Sequence, residues 1–196
     1  NVPVELVKAI IARESSGIAN NVNRYSGATG LMQLMPATAA GLGVRNSADP
    51  KQNIDGGVKY IAMMIISQNG NINEGLAAYN WGPGNYARFK KRGYWMATVY
   101  DQKGRPVRDR NGNVVKKKVT HLPDETEKYL KYVTGFRQEF EARSQAAKAV
   151  GLGSVPSTPA TNVAAEAAAA PEKSKTVEVK TTAEVAPTPT NSGAVD

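Results

Sequence analysis

The sequence predicts a mainly α-helical domain that carries one inserted β-hairpin and ends in a disordered C-terminal tail. Three observations lead there. Apolar residues recur at three- and four-residue spacing through most of residues 1–145. Between Met96 and Val119 that spacing gives way to β-branched residues alternating with charged ones around Asn111-Gly112. Beyond Ala146 the large apolar residues almost vanish: Val163 to Pro171 is nearly all alanine, and 155–160 and 186–190 are rich in Pro and Thr. A segment of that kind buries too little surface to offset its ordering entropy. The division is therefore a globular domain over 1–145 and a flexible tail or linker over 146–196.

The first helix runs from about Pro3 to Ser16, with proline in the first turn and Gly17 as a left-handed stop. Leu6, Ile10 and Glu14 are four apart and share one face, which Val7 and Ile11 widen. Glu14 is thus a carboxylate that continues an apolar stripe. Ser26 to Thr29 reads as a loop. Pro36 opens a short helix through Ala40, ended by Gly41 and Gly43. Asp49-Pro50 starts a longer helix with Ile54, Val58, Ile61, Met64 and Ile65, and Asp49 is its N-cap. A further helix spans Asn73 to about Asn80 before Gly82-Pro83-Gly84. The last covers about Asp124 to Arg143, with Tyr129, Tyr132, Val133, Phe136 and Phe140 on one side. The hairpin is expected over about 95–119, with a type I′ turn at Asn111-Gly112 and room for a second turn at Lys103-Gly104. No internal repeat is evident.

Composition removes several kinds of chemistry. The chain has no cysteine, which excludes disulfides, thiol catalysis and thiolate metal sites. His121 is its only histidine, so neither a histidine-rich metal site nor a Ser-His-Asp triad is favoured, and no metal is expected. The longest apolar run, Ile61 to Ile66, is far short of the roughly 20 residues of a membrane span. Asn1 stands where a Met would, and helix pattern follows almost at once. We expect a processed product or a piece of a longer protein, with any export signal outside the sequence. The overall charge is +8, but Arg88 to Lys118 holds eleven Lys and Arg against two Asp, a local net of +9. That segment suits an anionic polymer surface or a docking partner, or it is only a solvated hairpin.

Glycosidic bonds are cleaved by protonating the leaving oxygen while positive charge grows on the sugar ring. The proton donor is a carboxylic acid kept neutral by partial burial against apolar groups. Glu14, on its apolar stripe near a helix end, has the sequence context for that role. Periodicity alone leaves open a glutamate that turns to solvent or caps a neighbour.

The ordered motifs narrow the choice. Glu14-Ser15, Gly30-Leu31-Met32-Gln33-Leu34-Met35-Pro36 and Ala77-Ala78-Tyr79-Asn80-Trp81-Gly82 follow one another. Asp49-Pro50-Lys51-Gln52-Asn53-Ile54 with Gly57 and Tyr60-Ile61 lies between the last two. Leu122-Pro123-Asp124-Glu125-Thr126 with Tyr129 comes last. Together these five segments resemble the lytic transglycosylase family, over residues 1 to about 140 with the hairpin excepted.

The resemblance implies an α+β lysozyme-like fold of the goose type and an enzyme acting on peptidoglycan without a cofactor. It implies that Glu14 is the catalytic acid and later the base. Gln33 would lie beside the sugar N-acetyl group, Met35 would make an apolar contact, and Tyr79 and Asn80 would flank the acid. Glu125 would be a second carboxylate that supports the site without attacking the sugar. Ser15, Trp81 and Tyr129 would also line the substrate, Trp81 as a stacking or rim aromatic. Amides such as Gln33 and Asn80 can both donate and accept, as an acetamido group requires. The Tyr79 hydroxyl could hold a carboxyl or an oxyanion. Met32 is expected in the core. The bland alternatives are a core Tyr79 and a Glu125 favoured only by the helix dipole. The chain departs from the family at Asn23-Arg24-Tyr25-Ser26-Gly27, where Ser-Pro-x-Gly is usual, and in the basic insertion from about Arg88 to Val119.

The implied reaction breaks the β-1,4 bond between MurNAc and GlcNAc and leaves a 1,6-anhydroMurNAc end. A hydrolytic goose-type lysozyme is the first rival; it needs a further carboxylate to hold water, and Asp49, Asp55 and Glu125 are the candidates. A non-catalytic basic binding module of an envelope or virion assembly is the second. The expected partners are glycan strands and an assembly partner at 88–118, with no specific nucleic acid. The expected place is extracytoplasmic: periplasm, cell envelope, secretion machine or bacteriophage virion.

Overall fold

The computed structural model describes residues 1–149. The expected tail from residue 150 onward lies outside the described residues. Among those described, six α-helices and one antiparallel strand pair follow in the order α1 (Val4–Ser15), α2 (Pro36–Gly41), α3 (Pro50–Ser67), α4 (Ile72–Trp81), α5 (Pro83–Arg92), β1 (Trp95–Thr98), β2 (Lys116–Val119) and α6 (Asp124–Ala149). The class is the expected one, helical with one small hairpin.

Helix α1 packs along α6, α3 packs along α4, and α4 also touches α5 and α6. The core lies between them: Leu6, Ile10, Met32, Ile61, Leu76, Tyr129 and Val133 are essentially sealed from solvent. The predicted stripe on α1 is the buried one, with Leu6 and Ile10 fully covered and Glu14 only 9% exposed. Met32 is a core residue, as expected. Tyr132, placed on the apolar side of α6 from spacing, is 37% exposed instead. Its ring lies beneath the Arg13 guanidinium at 5.5 Å.

Several boundaries differ from the sequence expectation. The left-handed stop of α1 begins one residue early, at Ser16 with φ 53°. Helix α6 runs past Arg143 to Ala149, because the alanine-rich stretch after Ser144 has high helix propensity and carries no breaker. Helix α5 was not expected at all. Pro83 breaks α4 but sits in the first turn of the next helix, where its fixed φ is an asset. Tyr86 and Phe89, three apart, then face the core together. Arg88 to Arg92 therefore belongs to a helix, and the basic insertion proper begins after Gly93.

The insertion is a strand pair with a folded tip. Trp95 pairs with Val119, Met96 with Lys118, Ala97 with Lys117 and Thr98 with Lys116. The type I′ turn expected at Asn111-Gly112 does not form. The turn instead spans three residues: the Gly112 N–H donates to the Asp109 carbonyl at 3.0 Å and the Asp109 N–H donates to the Asn113 carbonyl at 2.9 Å. Only Gly112 takes a left-handed φ, of 80°. The Asp109 carboxylate accepts from the N–H groups of Asn111 and Asn113. The same arrangement stands at Asp101 to Arg105, where Gly104 has φ 73° and Asp101 accepts from Lys103 and Arg105. The chain therefore does contain a repeat, Asp-x-x-Gly-x-x-Val, at 101–107 and again at 109–115. Its valines close a ring of backbone bonds: Val99 donates to Val115 at 3.0 Å, Val115 to Val107 at 2.9 Å and Val107 to Val99 at 2.9 Å.

Candidate active site

The site is assembled around the loop between α1 and α2. Thr29 and Leu34 pair with each other, and Gly30 to Gln33 form the turn between them. Asn53, on α3, holds this turn from beneath. Its Oδ1 accepts from the Met32 N–H at 2.7 Å, and its Nδ2 donates to the carbonyls of Thr29 at 3.0 Å and Ser47 at 2.8 Å. Three of the four hydrogen-bonding capacities of this fully buried amide are thus used. The packing leaves no room for a Cβ at two points. One built on Gly30 would stand 2.1 Å from the Ser47 carbonyl oxygen, and one on Gly57 would stand 2.3 Å from the Met32 sulfur.

Glu14 is at the end of α1, buried, and faces two tyrosines. Tyr79 comes from α4 and Tyr129 from α6, and both are buried. Burial pushes each hydroxyl well above its ordinary pKa, and the neighbouring Glu14 carboxylate adds to the effect in both. Tyr60 of α3 lies against the Tyr79 ring at 5.1 Å. Arg13, next in sequence to the glutamate, lies over the rings of Tyr132 and Tyr129.

The expected residues divide by what their polar atoms do. The Tyr79 hydroxyl donates to the Met32 carbonyl at 2.7 Å, so its proton is committed to the loop and its oxygen can only accept. Ser15 is buried, and its hydroxyl donates to the Leu31 carbonyl at 2.8 Å. It fastens the loop to α1. Gln33 is buried with φ 47°, and its Nε2 donates to the carbonyls of Asn21 at 3.0 Å and Gly30 at 2.9 Å. Its remaining capacity is its acceptor, Oε1. The Asn80 Oδ1 accepts from the Thr126 hydroxyl at 2.9 Å, which leaves its Nδ2 as a donor. One amide therefore offers an acceptor and the other a donor, where each was expected to serve both ways.

Met35 is 45% exposed just before α2. Trp81 is half-buried, edge-on to Phe89 at 5.8 Å and to Trp95 at 5.5 Å, which fits a rim aromatic. Tyr129 is sealed in the core and faces Glu14. Glu125 is half-buried one turn before Tyr129 on α6. Of the other carboxylates, Asp49 caps α3 by accepting from the Gln52 N–H at 2.8 Å. Asp55 pairs with Lys51 at 2.7 Å on the exposed side of that helix. His121, Asp124 and Glu127 bring their ligating atoms within 4.8 Å of one another, all exposed, before and within the first turn of α6.

Comparison with known proteins decides the family. The model of the transglycosylase SLT domain matches residues 1–101. The chain belongs to the transglycosylase SLT domain family. That SLT match spans Glu14, Gln33 and Tyr79 and ends inside the inserted hairpin, before Glu125 and Tyr129. Over 82 residues the chain is 44% identical to the transglycosylase of Enterobacteria phage PRD1, covering 42% of this chain and 30% of that protein. Over 87 residues it is 39% identical to the membrane-bound lytic murein transglycosylase F of Cellvibrio japonicus, covering 41% and 17%. The crystal structure of the 70 kDa soluble lytic transglycosylase from Escherichia coli superposes with a TM-score of 0.51 at 26% identity, covering 70% of this chain and 21% of that one. The SLT domain here thus spans less than a third of the length of each of these relatives.

Sequence reasoning missed Asn53 and Tyr60 as builders of the site. The signal for Asn53 was a polar amide four residues before Gly57 and eight before Ile61, on the buried face of α3.

Proposed function

We propose that this chain is a peptidoglycan lytic transglycosylase. It cleaves the β-1,4 bond between MurNAc and GlcNAc, with Glu14 as acid and then base. The observation that carries the proposal is Glu14 itself, buried at the end of α1 between Tyr79 and Tyr129, in a chain of the transglycosylase SLT domain family.

The Glu14 carboxyl hands its proton to the bridging oxygen as the C1–O bond breaks. The substrate's own N-acetyl oxygen supports the positive charge that develops at C1. Glu14, now a carboxylate, takes the proton from the C6 hydroxyl, whose oxygen closes on C1 and forms the anhydro ring. Gln33 and Asn80 complement the acetamido group, Oε1 facing its N–H and Nδ2 its carbonyl. Met35 and Trp81 give apolar contact. The lyase outcome is favoured over hydrolysis because Asp49 and Asp55 are occupied elsewhere, which leaves Glu125 as the one candidate to hold a water.

We further place the protein outside the cytoplasm, in the envelope or carried in a virion, as the names of its phage and membrane-bound relatives suggest. The basic segment 88–118 is its surface for an assembly partner or anionic polymer. No described helix is long and apolar enough to cross a membrane.

The test is Glu14→Gln on purified peptidoglycan, with products read by mass spectrometry. The wild type should release anhydro ends and the variant none while still folded. Reducing ends would assign a hydrolase. Undiminished function in the variant would reduce the chain to a binding module.

A further inference from the structure

The register of the hairpin sorts its side chains. Trp95, Ala97, Lys117 and Val119 share one face, and Met96, Thr98, Lys116 and Lys118 share the other. The first face is the inner one: Ala97 and Val119 are buried, and Trp95 packs edge-on against Trp81. Lys116 and Lys118 are exposed, whereas Lys117 is half-buried. Of three successive lysines, only the middle one turns toward the domain.

This inner face is tied to the start of α6. The Trp95 indole N–H donates to the His121 carbonyl at 2.9 Å, four residues before Glu125. The Thr126 hydroxyl, next to Glu125, donates to Asn80 at 2.9 Å, and Asn80 directly precedes Trp81. The foot of the hairpin and the end of α4 thus close on the turn that carries Glu125. That carboxylate is half-buried on the side of α6 that Tyr129 shares, the side of Glu14.

We propose that Lys117 is a positioning residue for the site, its ammonium facing the Glu125 carboxylate and holding it as an anion. The Lys117 side chain is half-buried, and an ammonium drawn even partly out of water is stabilised by a counter-charge. The inner face of the hairpin supplies none, since Trp95, Ala97, Val99, Val115 and Val119 are uncharged. Among the carboxylates at the start of α6, Asp124 and Glu127 are exposed and grouped with His121. Lys128, on the same helix, is exposed, and Glu14 from α1 lies beside Tyr79 and Tyr129. Glu125 is the half-buried carboxylate that remains. The insertion then contributes a charge to the site as well as a surface, and it does so from sequence beyond the SLT match. The inference rests on Glu125 being part of the proposed site.

The test follows the Glu125 carboxyl by carbon NMR across pH in the full chain, alongside turnover of peptidoglycan. Lys117→Met should move the Glu125 midpoint upward by about one pH unit and slow turnover about tenfold. Lys117→Arg should restore both. Lys131→Met, exposed on α6 and outside the basic segment, should change neither. In a Glu125→Gln background, Lys117→Met should add no further loss. If Lys117→Met unfolds the chain, Lys117→Gln takes its place. An unmoved Glu125 titration in a folded variant overturns the pairing. A moved titration in a protein that cleaves no peptidoglycan leaves the pairing standing and removes the proposed reaction.

Discussion

The Tyr79 hydroxyl donates to the Met32 carbonyl at 2.7 Å, across 47 residues of chain. The bond joins α4 to the turn that presents Gln33, which Asn53 also holds through the Met32 N–H. Tyr79→Phe keeps the ring against Tyr60 but leaves the Met32 carbonyl buried without that donor. The loss should be about 1–3 kcal/mol of stability, read from denaturant unfolding. Turnover should fall further than stability explains, by about tenfold or more, since a small shift of the loop misplaces Gln33. Wild-type turnover in the variant would show that the bond positions nothing.

Asn53 gives a sharper test because its substitutions differ in chemistry more than in size. Asn53→Asp keeps an oxygen for the Met32 N–H and loses the two bonds to the Thr29 and Ser47 carbonyls. It sets a carboxylate oxygen against those carbonyls, so the buried site must either take up a proton or carry the repulsion. We expect Asn53→Asp to be less stable at pH 8 than at pH 5, the gap to wild type narrowing as the aspartate protonates. Melting curves at the two values decide it. A gap independent of pH would mean that the acid escapes to solvent.

The helical class, the α1 stripe ending in Glu14 and the N-cap at Asp49 were legible because each depends on local spacing or a local bond. The ordered motifs carried the family. The roles of Ser15, Gln33 and Tyr79 were not legible, because they depend on which backbone carbonyls the fold brings near. Ser15 is expected to line the substrate, yet its hydroxyl serves Leu31, sixteen residues away. Helix α5 was hidden by Gly82-Pro83-Gly84, a sequence that ends one helix and opens another. The hairpin repeat escaped notice because only its aspartate, glycine and valine recur; the positions between them, exposed apart from the half-buried Val114, differ.

The contact between Gly57 and Met32 predicts a compensated pair. A methyl at Gly57 would meet the Met32 side chain at 2.3 Å, against a flexible thioether at the heart of the core. Gly57→Ala alone should destabilise by about 1–3 kcal/mol through overpacking. Met32→Ala alone should cost about 2–5 kcal/mol through the cavity it leaves. In the double variant the added methyl fills part of that cavity, so the combined loss should be clearly smaller than the sum. Additive losses in the unfolding cycle would place the two residues out of contact.

Alkaline pH should unfold the chain through its buried phenols. Tyr86, buried on α5, is pushed up to about 12 by burial first and then by the nearby Glu74 carboxylate. Tyr79 and Tyr129 are raised well above the ordinary value, again mainly by burial. In the unfolded chain each ionises near 10. A raised folded pKa means that the native state holds the proton more tightly, so these groups stabilise the fold fully below about pH 10. That contribution is lost as pH climbs through the folded values. Stability should therefore fall with a steepening slope above pH 10, and tyrosinate absorbance should show a fraction of phenols ionising only as the fold is lost. Tyr86→Phe cannot ionise and should make the slope between pH 10 and 12 shallower, whatever it costs at neutral pH. An unchanged slope in that variant would mean that Tyr86 ionises alike in the folded and unfolded chain.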